Sequence, residues 1–119
     1  MDERLEIIFS RRSIRRYTGE PVSQADIDSL LQAAMAAPSA GNRKPWHFVV
    51  VTDKQKLREL AGLHAYSKMI EQAALCIVVC GDPAVSKWWV VDCAAAMENL
   101  LVAVVGLDLG AVWIGCHVD

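Results

Sequence analysis

Four arginines lie within six residues near the start of the chain, in the segment 11–17, R-R-S-I-R-R-Y. The whole chain has a formal net charge of −2, so this positive charge is a local concentration. A guanidinium forms bidentate bonds with phosphate and planar bonds with carbonyl edges, and Ser13 adds a hydroxyl. In a helix, Arg11 and Arg15 would be like-charged neighbours, and a bound anion would relieve their repulsion. The segment predicts an anion site, with a solvated basic patch as the alternative.

The segment 37–48, A-P-S-A-G-N-R-K-P-W-H-F, is the second stretch of unusual composition. Pro38 and Pro45 fix φ and lack a backbone donor, while Gly41 and Asn42 tolerate left-handed conformations. This composition predicts a short, rigid connector that runs from a helix into a strand. Rigid polar loops on a scaffold are common positions for binding groups. A plain helix-to-strand connection is the alternative.

The remaining polar residues show no second kind of chemistry. The four cysteines, none in a C-x-x-C pair, have no spacing typical of metal ligands. Because most lie in apolar runs, we expect structural thiols in a reducing cytoplasm. The three histidines, His47, His64 and His117, have no neighbours that suggest a catalytic triad. The sequence therefore predicts neither a metal site nor a catalytic side chain.

Composition limits the class of protein. With 119 residues, of which 54% are hydrophobic and 22% charged, the chain is expected to form one globular domain, 1–119. Its near-neutral charge gives no reason to expect nucleic acid or an acidic membrane surface as a partner. The longest apolar run, 93–107, is interrupted by Glu98 and Asn99 and is short for a bilayer. The acidic residues near Met1 differ from a secretion leader, so a cytoplasmic location is expected.

The elements that must position these segments follow from periodicity and capping residues. Helices are predicted over 3–9, after the N-cap Ser23, after a capping box of Thr52 with Gln55, and over 67–72. Strands are predicted over 47–51, over 75–80 and over 111–116. The run 75–80 is apolar at every position, which is typical of a central strand.

A long helix over 88–105 has few polar positions, and a helix that is apolar nearly all round is normally buried. A domain of this size cannot easily cover every face of such a helix. We therefore expect an α+β fold, a mixed β-sheet packed by helices, with the long helix packed against a partner subunit.

The two unusual segments together resemble the nitroreductase family of flavin-dependent oxidoreductases. In that family an R-R-S-x-R-x-[YF] segment is followed, at about this separation, by a P-S-x-x-N-x-[QK]-P-W-x-F loop. Near the end of the chain, G-x-x-W-I-G at 110–115 resembles the family's segment facing the reactive edge of the flavin. Family members normally continue well beyond this point, so the resemblance implies a domain that is incomplete at its C-terminal side.

The resemblance implies roles for individual residues. Arg11 and Ser13 match positions that hold the FMN phosphate and ribityl chain, and Arg12 flanks them. Arg15 matches a cationic position near N1 and O2 of the flavin, and Lys68 a second one. Four loop residues match positions that contact the flavin of the other subunit: Pro38, Ser39, Ala40 and Asn42. Ile114 and Gly115 match the backbone that approaches flavin N5.

The implied activity is the transfer of hydride from NAD(P)H through FMN to a nitroaromatic or quinone-type acceptor. A homodimer with flavin at its interface is the implied assembly. Two alternatives stay open: a non-catalytic flavin- or nucleotide-binding module, and a purely structural dimerising fragment. The absence of an acid/base pair fits a flavoenzyme, because there the cofactor supplies the chemistry and the protein supplies position and electrostatics.

Overall fold

A computed structural model describes residues 1–116, which form an α+β fold. His117, predicted to be structural or exposed, lies outside the described residues. The helices are α1 Glu6–Ser10, α2 Gln24–Met35, α3 Lys54–Ala61 and α4 Trp89–Gly106. The strands are β1 Trp46–Val51 and β2 Cys76–Gly81, and short 3₁₀ turns lie at Glu3–Leu5, Ala40–Asn42 and Lys68–Gln72.

The starts of the two middle helices follow from side-chain caps. Ser23 Oγ accepts from the backbone N–H of Asp26 at 3.1 Å, as predicted for α2. For α3 the prediction of a Thr52–Gln55 capping box was wrong by one residue. The cap is Asp53, whose Oδ2 accepts from the N–H of Lys56 at 3.0 Å. A carboxylate accepts more strongly than a hydroxyl, so the acidic neighbour takes the cap position.

The described sheet has two antiparallel strands, with Trp46 opposite Gly81 and Val51 opposite Cys76. The predictions of a mixed sheet, of a central 75–80 strand and of a third strand at 111–116 were therefore wrong. Residues 111–116 bond to the arginine segment instead, where the N–H of Ile14 donates to the carbonyl of Ala111 at 2.9 Å. Their apolar character has another cause, since Ile114 packs against the buried cluster Leu57, Ala61 and Ile70.

The main core lies between α2 and α4 and extends to one face of the sheet. Ala34 and Ala96 are fully buried, and these small side chains let the two helices approach closely. The amide of Asn99 on α4 donates to the carbonyl of Ala33 on α2 at 2.9 Å. Trp46 is 7% exposed and belongs to this core, so it anchors the loop that precedes it.

The long helix was predicted correctly, to within a residue at each end. Its 18 residues have a mean hydropathy of 1.6, which by length and composition alone would suffice to cross a membrane. The core helix of a globular protein passes the same test, and Ala96, Leu100 and Val104 of α4 are buried among the helices. In contrast, Val90 and Val91 in its first turn are 59% and 57% exposed.

Gly81 is the position where the fold leaves least room for a side chain. A Cβ there would collide with the ring of Trp89 and come within 2.9 Å of Cys93 Sγ. Overpacking of this kind typically costs about 1–3 kcal/mol. We expect Gly81→Ala to lower the free energy of unfolding by about that amount, measured by urea denaturation.

Gly62→Ala is the matched control, because Gly62 caps α3 with helical φ and ψ and its added Cβ would make only ordinary contacts. This variant should be neutral or slightly more stable. Equal stability of both variants would contradict the close packing of β2 against α4.

Candidate functional site

The arginine segment follows α1 and is not helical. At the end of α1, Arg11 has φ −59° and ψ 131°, so the like-charged helical neighbours considered from the sequence do not occur. The guanidinium of Arg12 turns back and donates to the carbonyls of Phe9 at 2.8 Å and of Arg11 at 2.9 Å. Arg12 is thereby engaged with the C-terminal end of α1, where a cation is favoured.

Tyr17 fixes the other end of the segment. Its hydroxyl donates to the carbonyl of Ile14, whose own N–H donates to Ala111. Burial raises the pKa of Tyr17, so the phenol stays protonated as a donor across the physiological range. The backbone between Arg12 and Tyr17 is consequently held in place, while Ser13 and Arg15 are exposed.

Arg11 lies in a shallow groove between α1, α2 and α4. Its Nε is 3.8 Å from Oε1 of Glu98, and the two side chains are 34% and 55% exposed. A long, half-exposed pair of this kind contributes little stability. The groove, of about 600 Å³, is otherwise mostly apolar, with Ile8, Ala33, Val102 and Ala103 in its walls. An anionic group could therefore bind Arg11 with little loss of stability, because the pair between Arg11 and Glu98 is weak.

Arg15 lies in a second pocket, of about 480 Å³, which also contains three other residues singled out from the sequence: Lys68, Ile114 and Gly115. This volume is in the range of small-molecule sites, about 300–1,000 Å³. The 3₁₀ turn Lys68–Gln72 supplies Lys68, and the segment bonded to Ile14 supplies Ile114 and Gly115. Distant parts of the chain therefore bring two cations and a glycine to one place.

Gly115 leaves the wall of this pocket open. A Cβ built on Gly115 would have no neighbouring atom of residues 1–116 within 4 Å. A flat ligand can therefore approach the backbone at this point without meeting a side chain. The two cations in the same pocket favour a ligand that is anionic or that gains negative charge.

The loop residues Pro38, Ser39, Ala40 and Asn42 do not line the pocket of Arg15. Their loop is held by its own hydrogen bonds: the N–H of Lys44 donates to Ser39 Oγ at 3.0 Å, and the N–H of Ala40 to Asp92 Oδ1 at 3.1 Å. Positive φ angles occur at Gly41 (62°), Asn42 (55°) and Lys44 (50°). Such strain is usual at binding loops that their surroundings hold rigidly.

Asp92 holds this loop from the first turn of α4. It is 5% exposed, and its second oxygen, Oδ2, is buried with no hydrogen-bond partner within residues 1–116. Burial without a partner is costly for a polar atom. The bond to Ala40 thus ties the loop to the core at one end, as the burial of Trp46 does at the other.

The pocket has an aromatic wall, which consists of His64, Tyr66 and Trp113. Tyr66 is 77% exposed and Trp113 is 45% exposed. Trp113 belongs to the G-x-x-W-I-G segment, but sequence reasoning missed His64 and Tyr66, because they belong to an irregular segment, 62–67, that has neither a helical nor a strand period. Their proximity to Arg15 arises only from tertiary structure.

Ser67 holds the segment 62–67 in place. It is 2% exposed, and its Oγ lies 3.0 Å from the carbonyl of Ala61 and 2.9 Å from that of His64. It also accepts from the N–H of His64 at 3.2 Å. One buried hydroxyl thus joins the end of α3 to the aromatic wall.

None of the four cysteines lines this pocket, although Cys116 directly follows Gly115. All are free: Cys76 and Cys93 are partly or fully buried, whereas Cys80 and Cys116 are exposed. Burial raises the pKa of the Cys76 and Cys93 thiols, so both are protonated and unreactive near neutral pH.

Known proteins are similar to this chain over nearly its whole length. The sequence profile described as the nitroreductase family matches residues 8–65. A protein of Archaeoglobus fulgidus, provisionally assigned as an NADH dehydrogenase/NAD(P)H nitroreductase, is 46% identical over 98% of this chain and 70% of its own length. The chain belongs to the nitroreductase family. The family predicted from the two motifs is thereby confirmed.

Solved structures agree in fold. A provisionally assigned NADH dehydrogenase/NAD(P)H nitroreductase of Parabacteroides distasonis superposes with a TM-score of 0.91 at 43% identity, over 95% of this chain and 68% of that one. A provisionally assigned nitroreductase of Desulfovibrio desulfuricans, crystallised in complex with FMN, gives a TM-score of 0.88 at 35% identity, over 97% and 69%. The chain spans about two thirds of the length of these relatives.

Ser67 provides a test of the pocket wall. Ser67→Ala removes the one buried hydroxyl donor that the carbonyls of Ala61 and His64 share, and also the acceptor for the N–H of His64, at a cost of about 1–3 kcal/mol. We expect lower thermal stability and faster amide hydrogen exchange in the segment 62–67. Ser29→Ala is the control, because Ser29 is exposed on α2, and it should leave both measurements unchanged. Unaltered exchange in Ser67→Ala would contradict the role of this hydroxyl.

Proposed function

We propose that this nitroreductase-family chain is an FMN-dependent oxidoreductase that uses NAD(P)H to reduce nitroaromatic or quinone-type acceptors. The observation that carries the proposal is the meeting of Arg15, Lys68 and the open backbone of Gly115 in one pocket. Reduction of FMN places negative charge on its ring, and fixed cations beside the ring stabilise that charge. The D. desulfuricans relative, crystallised with FMN, supports this choice of cofactor.

The residues fit FMN in a particular direction. Arg15 and Lys68 would face the pyrimidine side of the ring, while the backbone of Ile114 and Gly115 would lie along its reactive edge. Arg11 and Ser13 would hold the phosphate and ribityl chain, with Arg11 leaving its weak pair with Glu98. Arg12 would support the segment from behind, because its guanidinium already binds the end of α1.

When bound, FMN takes up a hydride at N5 from NAD(P)H and passes it to the acceptor. The protein's own part is to bind, to orient and to supply positive charge. Lys68 lies on a 3₁₀ turn whose Ile70 is buried, and Arg15 follows a backbone held at Ile14. Both cations are therefore attached to fixed backbone, which lowers the cost of holding them near developing negative charge.

We also propose a homodimer in which the loop 38–42 contacts the flavin of the other subunit. In support, these loop residues do not line the pocket of their own chain, although a hydrogen bond to Asp92 holds the loop in place. Exposed apolar side chains lie next to the residue that holds this loop: Val90 and Val91 directly precede Asp92 on α4 and are more than half exposed. A second copy of the chain would cover them.

The function is tested by turnover. The purified chain, loaded with FMN, should oxidise NADH or NADPH when a quinone is added, with loss of nicotinamide absorbance at a rate proportional to protein. Retention of flavin without turnover would instead identify a non-catalytic binding module. A protein that retains no flavin would be a structural fragment.

Arg15→Ala tests the placement of the ring. Loss of a charged hydrogen-bond partner should weaken FMN binding by roughly tenfold or more and should lower the midpoint potential of the bound flavin. Arg16→Ala is the matched control, because Arg16 is an exposed neighbour that does not line the pocket. Both quantities can be measured by flavin titration and by dye-coupled reduction. Equal effects of the two variants would refute the placement.

The dimer is tested by sedimentation velocity at micromolar protein concentration. The expected result is a dimer, which Val91→Glu should dissociate because it places a charge in an apolar contact. Val49→Glu on β1 serves as the control, since Val49 is also half exposed. A monomeric profile for the unaltered chain would contradict the proposed assembly.

A further inference from the structure

A polar side chain in the pocket of Arg15 has no role in the proposed binding of FMN. This residue is His64, which lies in the pocket wall together with Tyr66 and Trp113. The cations Arg15 and Lys68 account for negative charge on a flavin ring. The aromatic wall has a different character, because it combines flat apolar faces with polar groups, and among these the imidazole of His64 is held by a hydrogen bond.

The imidazole of His64 is held in one orientation. Its Nδ1 accepts from the backbone N–H of Tyr66 at 3.1 Å, and its ring lies 5.6 Å from that of Tyr66 at an angle of 49°. The backbone of His64 is fixed in turn by Ser67, through both its N–H and its carbonyl. Ring and backbone are thus both constrained.

This arrangement determines where the proton of the neutral imidazole resides. Because Nδ1 acts as an acceptor, Nε2 must carry the hydrogen, and His64 is a hydrogen-bond donor through Nε2. Within the part of the chain that the structure describes, no protein group accepts from this atom. A fixed donor beside exposed aromatic faces suits a planar ligand that carries an oxygen.

We propose that His64 selects the electron acceptor by donating from Nε2 to an oxygen of its nitro or quinone group, with Tyr66 and Trp113 against the ring. This inference rests on the proposed function. Overall, a quinone takes one hydride from NAD(P)H and one proton from solvent, which gives hydroquinone and NAD(P)⁺. The acceptor oxygen gains charge as the hydride is transferred, so a donor at this oxygen favours reduction.

The test distinguishes the acceptor role of Nδ1 from the donor role of Nε2 in the imidazole of His64. In His64→Gln the amide reaches the position of Nε2 and can still donate, but the acceptor for Tyr66 is lost. In His64→Asn the amide reaches only the position of Nδ1, so the bond to Tyr66 can persist while the distant donor is lost. Each variant therefore preserves one function of the ring.

The measurement is the dissociation constant of p-nitrotoluene and of p-xylene, from the change in flavin absorbance of the oxidised, FMN-loaded protein without NAD(P)H. These probes differ in one group, a nitro group against a methyl group. We expect His64→Asn to weaken p-nitrotoluene binding roughly three- to tenfold with little change for p-xylene. His64→Gln should keep most of the preference, and His47→Asn, at an exposed position on β1, should keep all of it.

The opposite pattern, with the preference lost in His64→Gln and kept in His64→Asn, would show that His64 only shapes the loop, and would overturn the inference. An unchanged preference in both variants would also overturn it. If the unaltered chain retains no FMN, the proposed function fails and the inference fails with it. Retained FMN with either negative pattern overturns the inference alone.

Discussion

One backbone hydrogen bond joins the two ends of the described chain, from the N–H of Ile14 to the carbonyl of Ala111. It places Arg15 in the same pocket as Ile114 and Gly115, although the segments are distant in sequence. Gly110 permits this approach, because a Cβ there would come within 3.0 Å of Ile14 Cγ2. Without this contact, the cations and the open backbone of Gly115 would not share a pocket.

The long helix α4 positions the remaining parts of the site. Three polar residues of this helix contact different segments: Asp92 holds the loop at Ala40, Glu98 pairs with Arg11, and Asn99 binds the carbonyl of Ala33. These polar residues are few because the rest of the helix forms the core with α2. The apolar composition of α4, which predicts its burial, thus also limits the positions at which this helix can make polar contacts.

Local signals in the sequence predicted most of the elements, because Ile27, Leu30 and Ala34 repeat with a helical period and Ser23 is a typical cap. The two motifs identified the family, and the resemblance to that family pointed to several residues that converge, among them Arg15, Lys68 and Gly115. The sheet was predicted less well, since an apolar run such as 111–116 indicates burial and does not specify its hydrogen-bond partner. His64 could not be predicted, because its position depends on a single serine, Ser67, in an irregular segment.

The most direct measurement is a visible absorbance spectrum of the purified chain after it has been mixed with FMN and desalted. If the pocket of Arg15 and Gly115 binds the flavin ring, the protein fraction will retain a flavin spectrum in proportion to its concentration. A colourless protein fraction, from a chain that is folded by circular dichroism, would contradict the assignment of these residues to FMN.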